Sequence, residues 1–123
     1  MFDQFKTMSA LAGLLKNQEQ LQDAARRIKD QLKTMRLTGE AGGGAATAVV
    51  SGRMQVLEVR LDPNLAAGLS ADDRARQHGE ALIAEAVNDA LNKAQAAAQE
   101  TIAEHARALG LPDLGPQIAG LLR

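Results

Sequence analysis

The chain of 123 residues lacks cysteine, tryptophan and tyrosine, and its two aromatic side chains are Phe2 and Phe5. Without cysteine it can build neither a disulfide framework nor a thiolate metal site, which is typical of proteins from a reducing cytosol. So few aromatic rings also argue against a surface that stacks exposed bases. Much of the 46% hydrophobic content is alanine, so each buried position contributes little apolar area.

Long hydrophobic runs are also missing. No stretch approaches the ~18 apolar residues of a membrane span, and residues 1–6 include an acid, so neither a span nor a signal peptide is expected. The net charge is only -1, yet residues 1–36 hold seven Lys and Arg against four acids, and residues 72–108 show the reverse, four against seven. We expect one domain over residues 1–123, with loosely attached ends at 1–7 and 113–123 and a local basic surface.

The first third of the chain predicts a long helix. Between about residues 8 and 35, apolar side chains recur at alternating steps of three and four residues. This seam is typical of a helix packed along another helix, and an ordinary amphipathic core helix would use the same residues. Its members are Leu11, Leu14, Leu21, Ala25, Ile28, Leu32 and Met35, with Gln18 in the remaining position.

The segment between Arg36 and Asp62 predicts short strands, because its apolar period changes to two and glycines punctuate it. Three strands are expected, at residues 37–41, 46–51 and 55–61, with turns at 42–44 and 52–53. In the third strand Leu57, Val59 and Leu61 alternate with polar residues. One face of this strand should therefore be buried, and the other should be wet or meet a partner.

A second long helix is predicted after the strands. Pro63 ends the sheet because proline cannot continue a strand ladder, and Ser70 with Asp73 resembles a capping box that opens the helix. The helix should end near Ala108, ahead of Gly110, and a short helical tail is expected at residues 117–122. Its predicted apolar stripe comprises Ile83, Val87, Leu91, Ala94, Ala98 and Ile102.

These elements predict an α+β protein with a three-stranded antiparallel sheet and two long helices. A helix of about 37 residues is ~55 Å long, whereas a strand of about seven residues is ~23 Å, so the helices should project beyond the sheet. Open sheet edges and an uncovered apolar stripe favour a dimer.

Three ordered motifs resemble the core of the YbaB/EbfC family: LTGEAGGG at 37–44, AVVSG at 48–52 and VRLDP at 59–63. The long first helix, VNDA at 87–90 and the Leu-Pro pair at 111–112 are also similar to that family. The resemblance implies an α-β-β-β-α protomer, a homodimer joined through its sheet region, and a bacterial DNA-binding protein of the cytoplasm and nucleoid. The family's association with recombination and replication genes leaves a protein partner from those systems open.

Candidate DNA contacts lie mainly in the first helix. Four cations recur there at spacings that place them in one angular band: Arg26, Lys29, Lys33 and Arg36. Such a stripe suits phosphate contact, and a dimer would present it twice. The alternative is a solvated face paired with nearby acids, namely Asp23, Asp30 or those of the second helix. A second set of candidate DNA contacts lies at the helix ends and comprises Lys6, Lys16 and Arg107. The alternative is that these three are scattered charges that only keep the protein soluble.

Catalytic patterns are not found in the sequence. His78 and His105 lack ligand-like neighbours, and the glycines at 42–44 precede a strand without the Gly-Lys-Ser/Thr of a phosphate-binding loop. We therefore expect no enzyme, cofactor, metal or small-molecule substrate. Two hypotheses stay open: a homodimer that binds duplex DNA largely nonspecifically, and a non-catalytic scaffold for protein interactions.

Overall fold

The computed structural model describes residues 2–110 and 115–122, with side chains from residue 18 onward except at 115 and 117. The α+β class and the order of helix, three antiparallel strands and long helix are confirmed. In chain order the elements are α1 (Phe2–Thr34), β1 (Leu37–Ala41), β2 (Ala46–Val50), β3 (Val56–Leu61), α2 (Pro63–Gly68), α3 (Asp73–Ala108) and α4 (Gly115–Leu121).

The chain divides into two compact units. One comprises residues 31–101 and holds the sheet, and the other comprises residues 1–30 and 102–123. Loose attachment of residues 1–7 and 113–123 to a single domain stays a prediction, although residues 2–7 belong to α1 and α4 lies within the second end. None of the helices, within the described ranges, has an apolar stretch long enough to cross a membrane.

The sheet has the order β1-β2-β3, with both pairs antiparallel. Directly opposed residues project to the same face, and here Ala41 opposes Ala46 while Leu37 opposes Val50. Ala46, Ala48 and Val50 of the central strand are fully buried. Small residues therefore line the inner face of the sheet, so that a helix can pack close to it.

Helix α3 covers that inner face with alanines of its own. Ala86, Ala90 and Ala94 are fully buried in the core cluster, whereas Ile83 and Val87 of the predicted stripe are only partly buried beside it. The predicted stripe is therefore confirmed at Ala94, which is fully buried, while Ile83 and Val87 lie at the flank of the buried face. Alanine at each contact brings the helix backbone close to the strands.

Helix α2 was not predicted, because its six residues are too few for a periodic pattern. Asp62 caps it: the Asp62 carboxylate accepts a hydrogen bond of 2.7 Å from the Asn64 N–H, and Pro63 occupies the first turn. Leu65 is buried in the core cluster. Pro63 thus ends the sheet, as expected, and also begins a helical turn.

The N-terminus of α3 corrects the predicted capping box. Asp72, and not Ser70, is the cap, because its carboxylate accepts a 2.8 Å hydrogen bond from the Ala75 N–H. The Ser70 hydroxyl instead donates to the Ala67 carbonyl at 3.2 Å. The predicted end of the helix is confirmed at Ala108, and Gly110 follows with a φ of +69°.

The unit formed by residues 1–30 and 102–123 has a small buried core. Ile28 and Ile118 are fully buried, and Ala24 and Ala25 are buried at 5% exposure. The predicted apolar seam is confirmed in its later part, while the side chains of Leu11 and Leu14 lie outside the described residues.

Candidate nucleic-acid interface

Two of the predicted DNA contacts, Arg26 and Lys29, lie in the unit formed by residues 1–30 and 102–123. The side chain of Arg26 is 75% exposed and forms an ion pair with Asp23, one turn earlier. Pairing with Asp23, the alternative to DNA contact, is therefore observed for Arg26. Arg26 and Lys29 line a shallow cleft beside Leu121 of α4, so α4 flanks these two cations.

The other two predicted contacts lie in the unit of residues 31–101. Lys33 occupies the last turn of α1, and its side chain is exposed. Because α1 ends at Thr34, Arg36 is not on the helix, and the prediction of a shared helical band is wrong for this residue. Arg36 instead donates to the carbonyls of Lys33 at 3.1 Å and Met35 at 2.8 Å, one in the last turn of the helix and one just after it.

The second predicted set is only partly described. Arg107 lies in the last turn of α3 and is exposed. Lys6 and Lys16 belong to α1, and their side chains lie outside the described residues. The structure therefore adds no contact for these two lysines.

Surface cations differ in whether an acid already neutralises them. Arg76 pairs with Asp73 and Glu80 along α3, so its charge is balanced locally. Lys29, Lys33 and Arg36 form no ion pair with any carboxylate in the described part of the chain. An external anion would meet these three charges without displacing an acid.

The outer edge of β1 is occupied by side chains from α3. The Glu40 N–H donates to the Asp89 carboxylate at 3.1 Å, and Lys93 Nζ donates to the Thr38 carbonyl at 3.0 Å. Asp89 and Lys93 also pair at 3.3 Å. The bond from Glu40 and then the neighbouring Lys93 hold the pKa of Asp89 below its usual range, so the carboxylate stays ionised at neutral pH.

This polar cover of β1 was missed from sequence. Asp89 lies 49 residues from Glu40, and Lys93 lies 55 residues from Thr38. In the sequence, residues 87–90 were noted only because they resemble the family pattern. That resemblance does not indicate what Asp89 contacts. Since the two bonds occupy backbone groups of β1, this edge is closed to a further strand.

The opposite edge of the sheet, along β3, exposes apolar side chains. Val56, Leu57 and Val59 are 48%, 47% and 42% exposed, and Met54 just before them is 41% exposed. The prediction of a buried apolar face on this strand is therefore wrong for Leu57 and Val59 in the single chain. A bulge also shifts the alternation, so that Val56 rather than Leu57 opposes Val50.

The charges on β3 cancel each other. Arg60 Nε donates to the Glu58 carboxylate at 2.6 Å, and this hydrogen bond lowers the pKa of Glu58. Pairing with β2 uses one side of β3, and no described strand lies on the other. Edge strands are usually protected by an unbalanced charge, a proline, a bulge or a cover, and of these the described part of the chain shows only the bulge at β3.

In the described parts of the chain, no group of three or more His, Cys, Asp or Glu side chains lies close enough together to hold a metal ion. The described part of the chain is a small α+β protein with cations near the end of α1 that no described carboxylate pairs with, and with no described strand beside the β3 edge. The chain belongs to the YbaB/EbfC DNA-binding family, whose model matches residues 8–109. That family is non-catalytic and nucleoid-associated.

Two individual proteins are similar to this chain. A nucleoid-associated protein of Pseudomonas fluorescens (strain Pf0-1) is 35% identical over 102 residues, which cover 83% of this chain and 89% of that protein. A crystal structure of an uncharacterized protein from Helicobacter pylori matches with a TM-score of 0.46 and 21% identity, over 74% of this chain and 92% of that one.

Proposed function

We propose that this chain is a homodimeric nucleoid-associated protein of the cytoplasm that binds duplex DNA with little sequence selectivity. The main support is that Lys29, Lys33 and Arg36 have no carboxylate partner in the described part of the chain. The chain also belongs to a DNA-binding family. The full set of contacts proposed comprises Arg26, Lys29, Lys33 and Arg36, with Lys6, Lys16 and Arg107 as a weaker second set.

The chemistry of these side chains favours phosphate over bases. Lysine and arginine that neutralise phosphates release condensed counterions, and this release depends on charge rather than on sequence. The two long helices have 33 and 36 residues, and neither forms the short recognition unit of a helix-turn-helix. Binding to the DNA backbone is therefore the mode that these residues support.

A second copy of the chain is the proposed occupant of the β3 edge. Asp89 and Lys93 occupy backbone groups on the outer edge of β1, so among the described strands β3 is the one whose edge is free to pair with another strand. Two β3 strands meeting about a twofold axis would cover Val56, Leu57 and Val59 on both copies. Because each copy uses its one open edge, this assembly stops at two.

Light scattering should therefore give a mass near twice 13.0 kDa at micromolar concentration. Val59→Lys places a charge against the partner's apolar strand, and it is expected to shift the chain to the monomer mass. Thr38→Lys, an exposed position on the closed β1 edge, is the matched control and should remain dimeric. A V59K protein that keeps the dimer mass would rule out the β3 interface.

DNA binding is tested by fluorescence anisotropy with three unrelated 30-base-pair duplexes at low salt. Dissociation constants that agree within about threefold among the three are expected, since backbone contacts carry no sequence information. No binding at high micromolar protein would overturn the proposal and favour a protein-interaction scaffold, including one that serves recombination or replication proteins. A preference of 100-fold for one duplex would contradict backbone recognition.

A further inference from the structure

The turn between β2 and β3 brings one more cation to the end of α1. The Gly52 N–H donates to the Leu32 carbonyl at 2.9 Å, and Gly52 is buried. A Cβ at Gly52 would lie 3.0 Å from Leu32 Cα, so the turn rests directly on the helix backbone. Arg53 follows Gly52 and Lys33 follows Leu32, so the backbone positions that carry these two cations lie close together.

Hydrogen bonds fix the conformation of this turn. Ser51 is 2% exposed, and its hydroxyl oxygen accepts from the N–H groups of Arg53 at 3.2 Å and Gln55 at 3.4 Å. The Ser51 N–H in turn donates to the Gln55 carbonyl at 2.9 Å. Met54 is held with a φ of +65°, a conformation that favours glycine. These bonds fix the backbone position from which the Arg53 side chain extends.

The charges at this junction are not neutralised by the protein. Arg53 is exposed and forms no ion pair with a described carboxylate, as is the case for Lys33 and Arg36. The next cation along the chain, Arg60, is instead held by Glu58. Arg36 uses one guanidinium nitrogen for two backbone carbonyls, which orients the group without cancelling its charge.

We infer that Arg53 joins Lys33 and Arg36 in a phosphate-binding site where the end of α1 meets the β2–β3 turn. The ligand is a phosphodiester of duplex DNA, so this inference rests on the proposed function. Arginine can hold a phosphate through two parallel N–H bonds. Because hydrogen bonds already fix the turn that carries Arg53, its backbone loses little conformational entropy when the phosphate binds. The site extends the contact surface from the helix onto the sheet.

The test compares Arg53→Glu with Arg74→Glu in the full-length chain, by anisotropy on a random duplex at two or more salt concentrations. Arg74 is the matched control, because it is exposed, also lies in residues 31–101 and forms no ion pair in the described part of the chain. Both variants change the net charge equally. R53E should bind at least about tenfold more weakly, with the magnitude of the salt slope lower by about 1, whereas R74E should lose less than about threefold.

If R53E and R74E lose equal affinity for DNA, or if neither loses any, the site at Arg53 is overturned. The proposed function still stands in that case, provided that the wild-type protein binds DNA. Absence of wild-type binding would overturn both. Circular dichroism checks that the variants are folded. If R53E is not folded, Arg53→Gln is measured instead. Its affinity for DNA should be about threefold lower than that of the wild type, and its slope of log affinity against log salt should be smaller in magnitude by about 1.

Discussion

Replacing Gly39 with alanine is expected to destabilise the protein by roughly 3 kcal/mol or more, and it should leave much of the chain unfolded. A Cβ at this position would lie 2.2 Å from the Ala90 nitrogen and 2.3 Å from the Ala86 oxygen. Both are backbone atoms of α3, so no side-chain rotation can relieve the overlap. Relief requires α3 to move away from the sheet, which would open the core at Ala86 and Ala90.

Urea denaturation at fixed protein concentration measures this effect, since dimer formation would make stability depend on concentration. Gly120→Ala is the control, because a Cβ there meets no atom within 4 Å. As Gly120 lies in α4, alanine should change the free energy of unfolding by no more than about 1 kcal/mol, in the stabilising direction. A G39A protein with the wild-type midpoint would contradict the close packing of β1 against α3.

Reversal of the four principal cations is expected to weaken DNA binding by at least about 100-fold at low salt. The variant changes Arg26, Lys29, Lys33 and Arg36 together to glutamate. Each substitution removes a proposed phosphate contact and adds a charge that repels the DNA backbone. The circular dichroism spectrum and the light-scattering mass should be unchanged, since Arg26, Lys33 and Arg36 are exposed and Lys29 is only partly buried.

A control for long-range charge reverses Arg74 and Arg76 to glutamate, both exposed on α3, and shifts the net charge half as far as the fourfold variant does. This variant should retain affinity within about fivefold of wild type, because it alters the long-range field without removing a proposed contact. If the fourfold variant binds as tightly as wild type, the phosphate contacts lie elsewhere. Loss of its fold would be visible in the same spectrum, and the four substitutions would then be read one at a time.

Local sequence patterns located most of the secondary structure. Glycines and a period of two placed β1 at residues 37–41 as observed, and the other two strands differ by one residue at one end. The end of α3 was also found, because Gly110 supplies the left-handed residue that follows many helices. These features depend on neighbours in the chain, and local chemistry determines them.

Features that depend on distant residues were not predicted. The bond from Glu40 to Asp89 joins positions 49 residues apart, and no local pattern marks it. Val59 has the alternation of a buried strand, yet 42% of its surface is exposed in the single chain. Periodicity shows which side chains share a face, but it does not show whether this chain or another molecule covers that face.

The salt dependence of DNA binding tests the central claim most directly. Dissociation constants for one random duplex are measured between 50 and 200 mM monovalent salt, and light scattering gives the mass of the protein under each condition. If about 4 to 6 phosphates are neutralised, the slope of log affinity against log salt should be about -4 to -5. A slope near zero would contradict binding through phosphate contacts.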